Sequence, residues 1–175
     1  RPLLIRHLMA HPNERSSHAT ATPEGAGFGV MAAVFVVCGA ILIWKLVPEP
    51  GFVPVLVGAA VLTVLGGLDD AYSLSVSWRL LVQGAVALGL ILALPQDFQV
   101  LPGILPLVAE RILLALGIVG FVNVVNFLDG LDWMTVAQVV PMTLGVAVLC
   151  WLGIVPPGIG LLALALLGAT LGFAV

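Results

Sequence analysis

FVPVLVGAAVLTVLGGLDD, residues 52–70, runs from Phe52 to Leu68 without a charge and then meets two adjacent carboxylates, Asp69 and Asp70. A helical bilayer crossing takes about 17–25 predominantly apolar residues. Lipid offers no partners for backbone N–H and C=O groups, so only helices or closed barrels cross it, and a run this long and this apolar predicts a helix. The acids mark where the apolar run ends.

Working outward, the same pattern repeats. A first run spans about Phe28 to Val47 and is closed by Pro48, Glu49 and Pro50. A third spans about Trp78 to Leu94 before Pro95, and a fourth spans about Ile112 to Leu128. Met134 to Val175 is too long for one crossing, and the turn signal from Gly153 to Gly158, with Pro156-Pro157, divides it in two. The expected fold class is therefore all-α: a polytopic transmembrane helical bundle of about six helices. Residues 1–25 form the one extended polar segment and 26–175 a multi-pass membrane domain. Pro141 should kink the fifth span. Gly168 and Gly172, at i and i+4, suit either close helix packing or ordinary membrane glycine content.

Composition agrees. The 175 residues are 61% hydrophobic and 9% charged, against about 45–50% apolar and about 25% charged in soluble domains, and the mean hydropathy is +1.22. A net charge of -3, spread along the chain, argues against a nucleic-acid partner. Cys38 and Cys150 lie inside apolar runs, with no disulfide frame or metal spacing around them. No cleavable signal peptide is visible. Starting at Arg1 and stopping at Val175 inside an apolar run, the chain is expected to be a fragment cut at both ends.

Counting crossings places residues 1–25, Asp69-Asp70 and 123–133 on one side. That side holds Arg1, Arg6, Arg15 and Arg79, against Lys45 and Arg111 on the other. The excess makes it the cytoplasmic face. An aspartate deep in a bilayer costs about 2.5–3.5 kcal/mol on the insertion scale. At the C-terminus of a helix it also opposes the macrodipole, by about 0.3–1 kcal/mol each. A bound cation would reverse that sign, and Mg²⁺ typically uses one or two carboxylates plus substrate phosphates. For the pair alone, a plain solvated helix end explains it equally well.

NVVNFLDGLDW, 123–133, shows the same polarity at the exit of the fourth span. Asn123, Asn126, Asp129 and Asp132 recur every third residue, and Gly130 loosens the helix. Asn123 and Asn126 lie at membrane depth and need partners, either neighbouring helices or a polar ligand; for Asn123, helix–helix bonding is the simpler reading. PNERSSHATATPEGAGFGV, 12–30, brings Arg15, His18 and a glycine-rich turn to the same face, and Arg and backbone N–H groups suit phosphate oxygens. Acids for a metal and donors for phosphate are the parts of phosphoryl transfer. No Walker-type loop, zinc spacing or Ser-His-Asp order is present.

PNERSSHATATP, GGLDDAYSLS with Arg79 and Gln83, and NVVNFLDGLD together resemble the polyprenyl-phosphate N-acetylhexosamine-1-phosphate transferases, relatives of phospho-N-acetylmuramoyl-pentapeptide transferase. The N-terminal motif is more similar to the branch that starts O-antigen and other surface polysaccharides. The resemblance implies a bacterial inner-membrane enzyme with its active site on the cytoplasmic face. Undecaprenyl phosphate would attack the β-phosphate of a UDP-N-acetylhexosamine and release UMP, with Mg²⁺ required and Mn²⁺ an alternative. It assigns catalysis to Asp69, Asp70 and Asp129, metal binding to Asp70 and Asp129, and substrate contacts to Asn123, Asn126, Asp132, Arg15 and His18. It also implies a later aspartate motif and a histidine-rich loop beyond the sixth span, so this chain is expected to hold part of the metal site. The sequence departs from the pattern at Pro23-Glu24-Gly25-Ala26-Gly27 and at Trp133, where the family usually has glycine.

The rival readings are the pentapeptide transferase branch and a transporter or structural bundle. A transporter would place ionisable residues mid-bilayer; here the acids cluster at one face, and spans three, five and six contain no ionisable residue in their middles. The sugar and the oligomeric state, a homodimer included, stay open.

Overall fold

The computed structural model describes residues 9–10, 22–23, 26–46, 51–128 and 133–173. Among these residues the helices are α1 (Ala26–Ile43), α2 (Phe52–Tyr72), α3 (Val76–Ala93), α4 (Leu107–Leu128), α5 (Met134–Trp151) and α6 (Pro157–Phe173). A two-residue antiparallel ladder pairs Met9–Ala10 with Thr22–Pro23. The all-α expectation holds. Four helices, α2 to α5, are long and apolar enough to cross a membrane, and α6 and the apolar part of α1 (Gly27–Ile43) are shorter. Large apolar side chains face outward along every helix, Ile43, Leu92 and Leu116 among them. Such a surface suits lipid and would aggregate in water.

The helix ends follow local chemistry. Past α5, Gly153 takes a left-handed φ of 73°. Its N–H donates to Cys150 O and that of Ile154 to Leu149 O, which satisfies two orphan carbonyls in a Schellman cap. Past α1 the same pattern forms on a non-glycine residue: Lys45 has φ 52°, with Lys45 N–H to Leu42 O and Leu46 N–H to Ile41 O. Pro157 opens α6, where its missing N–H costs nothing. α5 runs continuously through Pro141. The fourth helix differs from expectation: it starts at Leu107 rather than near Ile112, so Glu110 and Arg111 lie inside its first turns.

The chain divides into two compact units, residues 50–126 and residues 1–49 with 127–175. In the second of these, α6 packs against both α5 and α1. Val34, Cys38 and Ile41 form the buried stripe of α1. The buried hydroxyls of Thr143 and Thr170 donate back to Val139 O and Leu166 O, each 2.7 Å away, within their own helices. A Cβ added at Gly168 or Gly172 would meet nothing within 4 Å. These glycines border an apolar cavity of about 720 Å³ between α1 and α6, so ordinary glycine content is the reading that applies.

Close approach occurs instead at Gly160, where an added Cβ would lie 2.7 Å from Cys150 Cβ. Small residues let membrane helices approach in this way. Gly160→Ala is therefore expected to destabilise the α5–α6 hairpin by about 1–3 kcal/mol, the usual cost of overpacking. Thermal unfolding of the purified full-length protein in detergent reads this, and an unchanged midpoint would contradict the contact.

In the unit of residues 50–126, α2 packs on α3. The connection from α3 to α4 is held by Glu110 and Arg111. The buried Glu110 carboxylate accepts from the N–H groups of Val100 and Leu101. Arg111 donates through Nη1 to Ile91 O at 2.7 Å and through Nη2 to Pro95 O at 2.5 Å, capping the C-terminal end of α3 with a cation.

Candidate functional site

A second group of polar residues in this unit gathers at the opposite end, and the turn between α2 and α3 builds its meeting point. α2 ends on Ser73, whose left-handed backbone (φ 48°) turns its N–H back to Asp69 O at 2.7 Å. Two residues later the Ser75 hydroxyl accepts from Trp78 N–H at 3.4 Å and caps α3. So short a turn faces the last turns of α2 with the first turns of α3. Arg79 Nη1 thereby reaches Asp69 Oδ2 at 2.7 Å, with the two side chains 29% and 21% exposed. No basic residue lies in the last turn of α2 itself. The cation that an acid at this helix end calls for is supplied, for Asp69, by α3.

The third wall is α4. Gln83, one turn beyond Arg79 on α3, is buried and accepts from Asn123 Nδ2 at 2.6 Å. The same nitrogen donates to Val119 O at 2.8 Å, so both N–H bonds of the Asn123 amide are used within the protein. Asn123 thus binds helix to helix. Asn126, one turn further, is exposed and lines a cavity of about 100 Å³ with Asp69, Arg79, Gln83 and Val122. The Nε of Arg79 is buried and has no hydrogen-bond partner among the described residues. Asp70 is exposed beside Asp69. Tyr72 and Trp78, 74% and 61% exposed, flank the cluster at this end. Tyr and Trp are enriched at the headgroup level of a bilayer, which suits a cavity at the edge of the apolar layer.

Of the expected site residues, Asp69, Asp70, Asn123 and Asn126 are therefore placed within one unit, and Asp69 and Asn126 share a cavity. Arg15, His18, Asp129 and Asp132 lie outside the described residues. Trp133 has φ 63° and ψ 0° at the start of α5, a left-handed conformation that glycine adopts freely and a bulky residue does not. Among the described residues no group of three or more His, Cys, Asp or Glu could hold a metal ion. Arg79 and Gln83 were legible as motif residues but carried no role in the sequence reading. Their signal was there: Gln83 is a polar side chain in an apolar span, one turn from the cation.

A family model described as glycosyl transferase family 4 matches residues 52–175. A Bacillus subtilis (strain 168) protein named "Probable undecaprenyl-phosphate N-acetylglucosaminyl 1-phosphate transferase" is 30% identical over 173 residues, 93% of this chain and 46% of its own length. A Mycobacterium leprae (strain TN) protein named "Decaprenyl-phosphate N-acetylglucosaminephosphotransferase" is 35% identical over 136 residues, 71% of this chain and 34% of its own. The chain spans less than half the length of these relatives. No solved structure matches it. With the family model covering well over half of its length, and with the aspartate pair, Arg79, Gln83 and the asparagines in the matched stretch, the chain belongs to glycosyl transferase family 4.

Proposed function

We propose that the full-length protein transfers N-acetylhexosamine-1-phosphate from a UDP-sugar to undecaprenyl phosphate on the cytoplasmic face of a bacterial plasma membrane, starting a lipid-linked envelope polysaccharide. An oxygen of the lipid phosphate bonds to the β-phosphorus of the UDP-sugar, the bond from that phosphorus to the bridging oxygen breaks, and UMP leaves. The observation that carries this reading is the cavity of Asp69, Arg79, Gln83 and Asn126 at the polar end of apolar helices, in a chain of this family.

The residues divide by chemistry. Arg79, which lines the cavity, meets phosphate oxygens through its guanidinium, and Asp69 holds that guanidinium in place. Asn126 and Asp132 contact the nucleotide, and Arg15 and His18 the pyrophosphate. The lipid phosphate has a second pKa near ~6 and is largely dianionic, so no side chain need deprotonate it. Asp70 and Asp129 would hold Mg²⁺ or Mn²⁺; carboxylate oxygens suit such hard ions, which take their remaining ligands from phosphate and water. The ion, when bound, neutralises charge on the pyrophosphate.

UMP release by the full-length protein should require undecaprenyl phosphate, one or more members of a panel of UDP-N-acetyl sugars, and Mg²⁺, and should stop with EDTA. Absence of UMP release with every sugar in the panel would overturn the reading.

A further inference from the structure

We infer that Gln83 is a positioning residue: through Asn123 it sets the rotation of α4 that presents Asn126 to the Asp69–Arg79 pair. Gln83 is 6% exposed and is followed along the same stripe of α3 by the buried apolar Ala87 and Ile91. A buried amide in such a stripe is retained only with a partner. Its Oε1 takes the Asn123 N–H at 2.6 Å, while the second N–H of that amide is tied to Val119 O. With both donors held, the Asn123 side chain has one orientation, and it links α3 to one angular setting of α4.

That setting decides what enters the cavity. Three residues along a helix is a rotation of about 300° and a rise of about 4.5 Å, so Asn126 lies roughly 60° round from Asn123, one turn nearer the polar end. Val122 and Asn126, at i and i+4, share a stripe, and both line the cavity with Asp69, Arg79 and Gln83. The lining shows nothing else polar from α4. If the Gln83–Asn123 bond is removed, the described contacts leave α4 without a side-chain bond to α3 near this end, and a small roll carries Asn126 out of register with Arg79. Plain helix–helix bonding also accounts for the contact, but hydrogen bonds between membrane helices contribute modestly to stability, and that role predicts no effect on rotation or turnover. The effect on turnover rests on the transferase reading; the rotation of α4 does not.

Both are tested on the full-length protein. With Cys38, Cys150 and any other cysteine replaced by serine, Asn126→Cys is reacted with a membrane-impermeant maleimide. Gln83→Met, which keeps the side-chain length and removes the amide, should change the alkylation rate severalfold, while the rate at Tyr72→Cys, exposed at the polar end of α2, does not change. In the native-cysteine protein, Gln83→Asn or Asn123→Gln alone should lower kcat/KM for UMP release by roughly tenfold to a hundredfold, the usual effect of a small misplacement. The reciprocal pair Gln83→Asn/Asn123→Gln conserves the combined length and should recover most of it. Unchanged alkylation with Gln83→Met, single variants within a factor of two of the parent, or a reciprocal pair as poor as its parents would overturn the inference. If the parent protein releases no UMP, the transferase reading fails, and the alkylation rates still decide whether Gln83 sets the rotation of α4.

Discussion

In the full-length protein, Asp69→Asn is expected to lower UMP release by about 10²–10³-fold, the usual effect of removing one preorganised electrostatic group. The amide keeps an oxygen that can accept from Arg79 but loses the charge. Arg79 Nη1 then has no counter-ion at 2.7 Å, and its guanidinium is free to leave the cavity that it lines with Gln83 and Asn126. Stability should change little, by about 1 kcal/mol or less, because both side chains of the pair are partly exposed and screened. The same change also relieves the acid at the end of α2 of its opposition to the helix dipole, which acts in the stabilising direction. A folded variant with much reduced turnover is thus the expected result. Turnover near that of the parent would remove the Asp69–Arg79 pair from the machinery. Asp129→Asn, at the position proposed to bind metal, should abolish turnover with membrane insertion intact.

The second large effect is structural and lies at the other end of the same unit. Glu110 is 3% exposed, and its carboxylate is the acceptor for the N–H groups of both Val100 and Leu101. Glu110→Ala leaves both donors without it. Val100 and Leu101 are themselves exposed, so water can take over their N–H groups, and the loss is that of two hydrogen bonds to a charged acceptor, about 1.5–3 kcal/mol each, still above an ordinary surface change. Glu110→Gln retains one acceptor oxygen and should fall between the two. A lowered unfolding midpoint in detergent, with faster proteolysis within residues 94–106, is the expected outcome. An unaltered midpoint and digestion pattern in Glu110→Ala would show that the connection is held by other contacts.

Glu110 and Arg111 also show where reading the chain alone stops short. In one dimension they look like the charged flank of an apolar run, and the fourth span was expected to begin after them. In three dimensions the carboxylate takes two backbone N–H groups from the preceding connection and the guanidinium takes the carbonyls at the end of α3, so both enter the helix. Their charges are balanced by groups 9–20 residues away in the chain, which no local pattern contains. The site behaves likewise. The position of Asp69 at the close of an apolar run was legible, as was the need for a cation there. That Arg79 is this cation follows from the sharp Ser73–Ser75 turn, and a bound ion would have explained the same sequence. Asn123 and Asn126 look equivalent in NVVNFLDGLDW. Packing separates them, giving one to Gln83 on a neighbouring helix and leaving the other exposed at the cavity.

The apolar runs and their Pro, Gly and acidic terminators determined the helices and their bilayer-crossing character, because a chain in lipid must satisfy its backbone within each segment, and that demand is read from length and composition alone. Which polar side chains pair was decided by tertiary structure, because a buried amide or charge takes whichever partner the packing of another helix brings within 3 Å or so, and that proximity has no trace in local sequence.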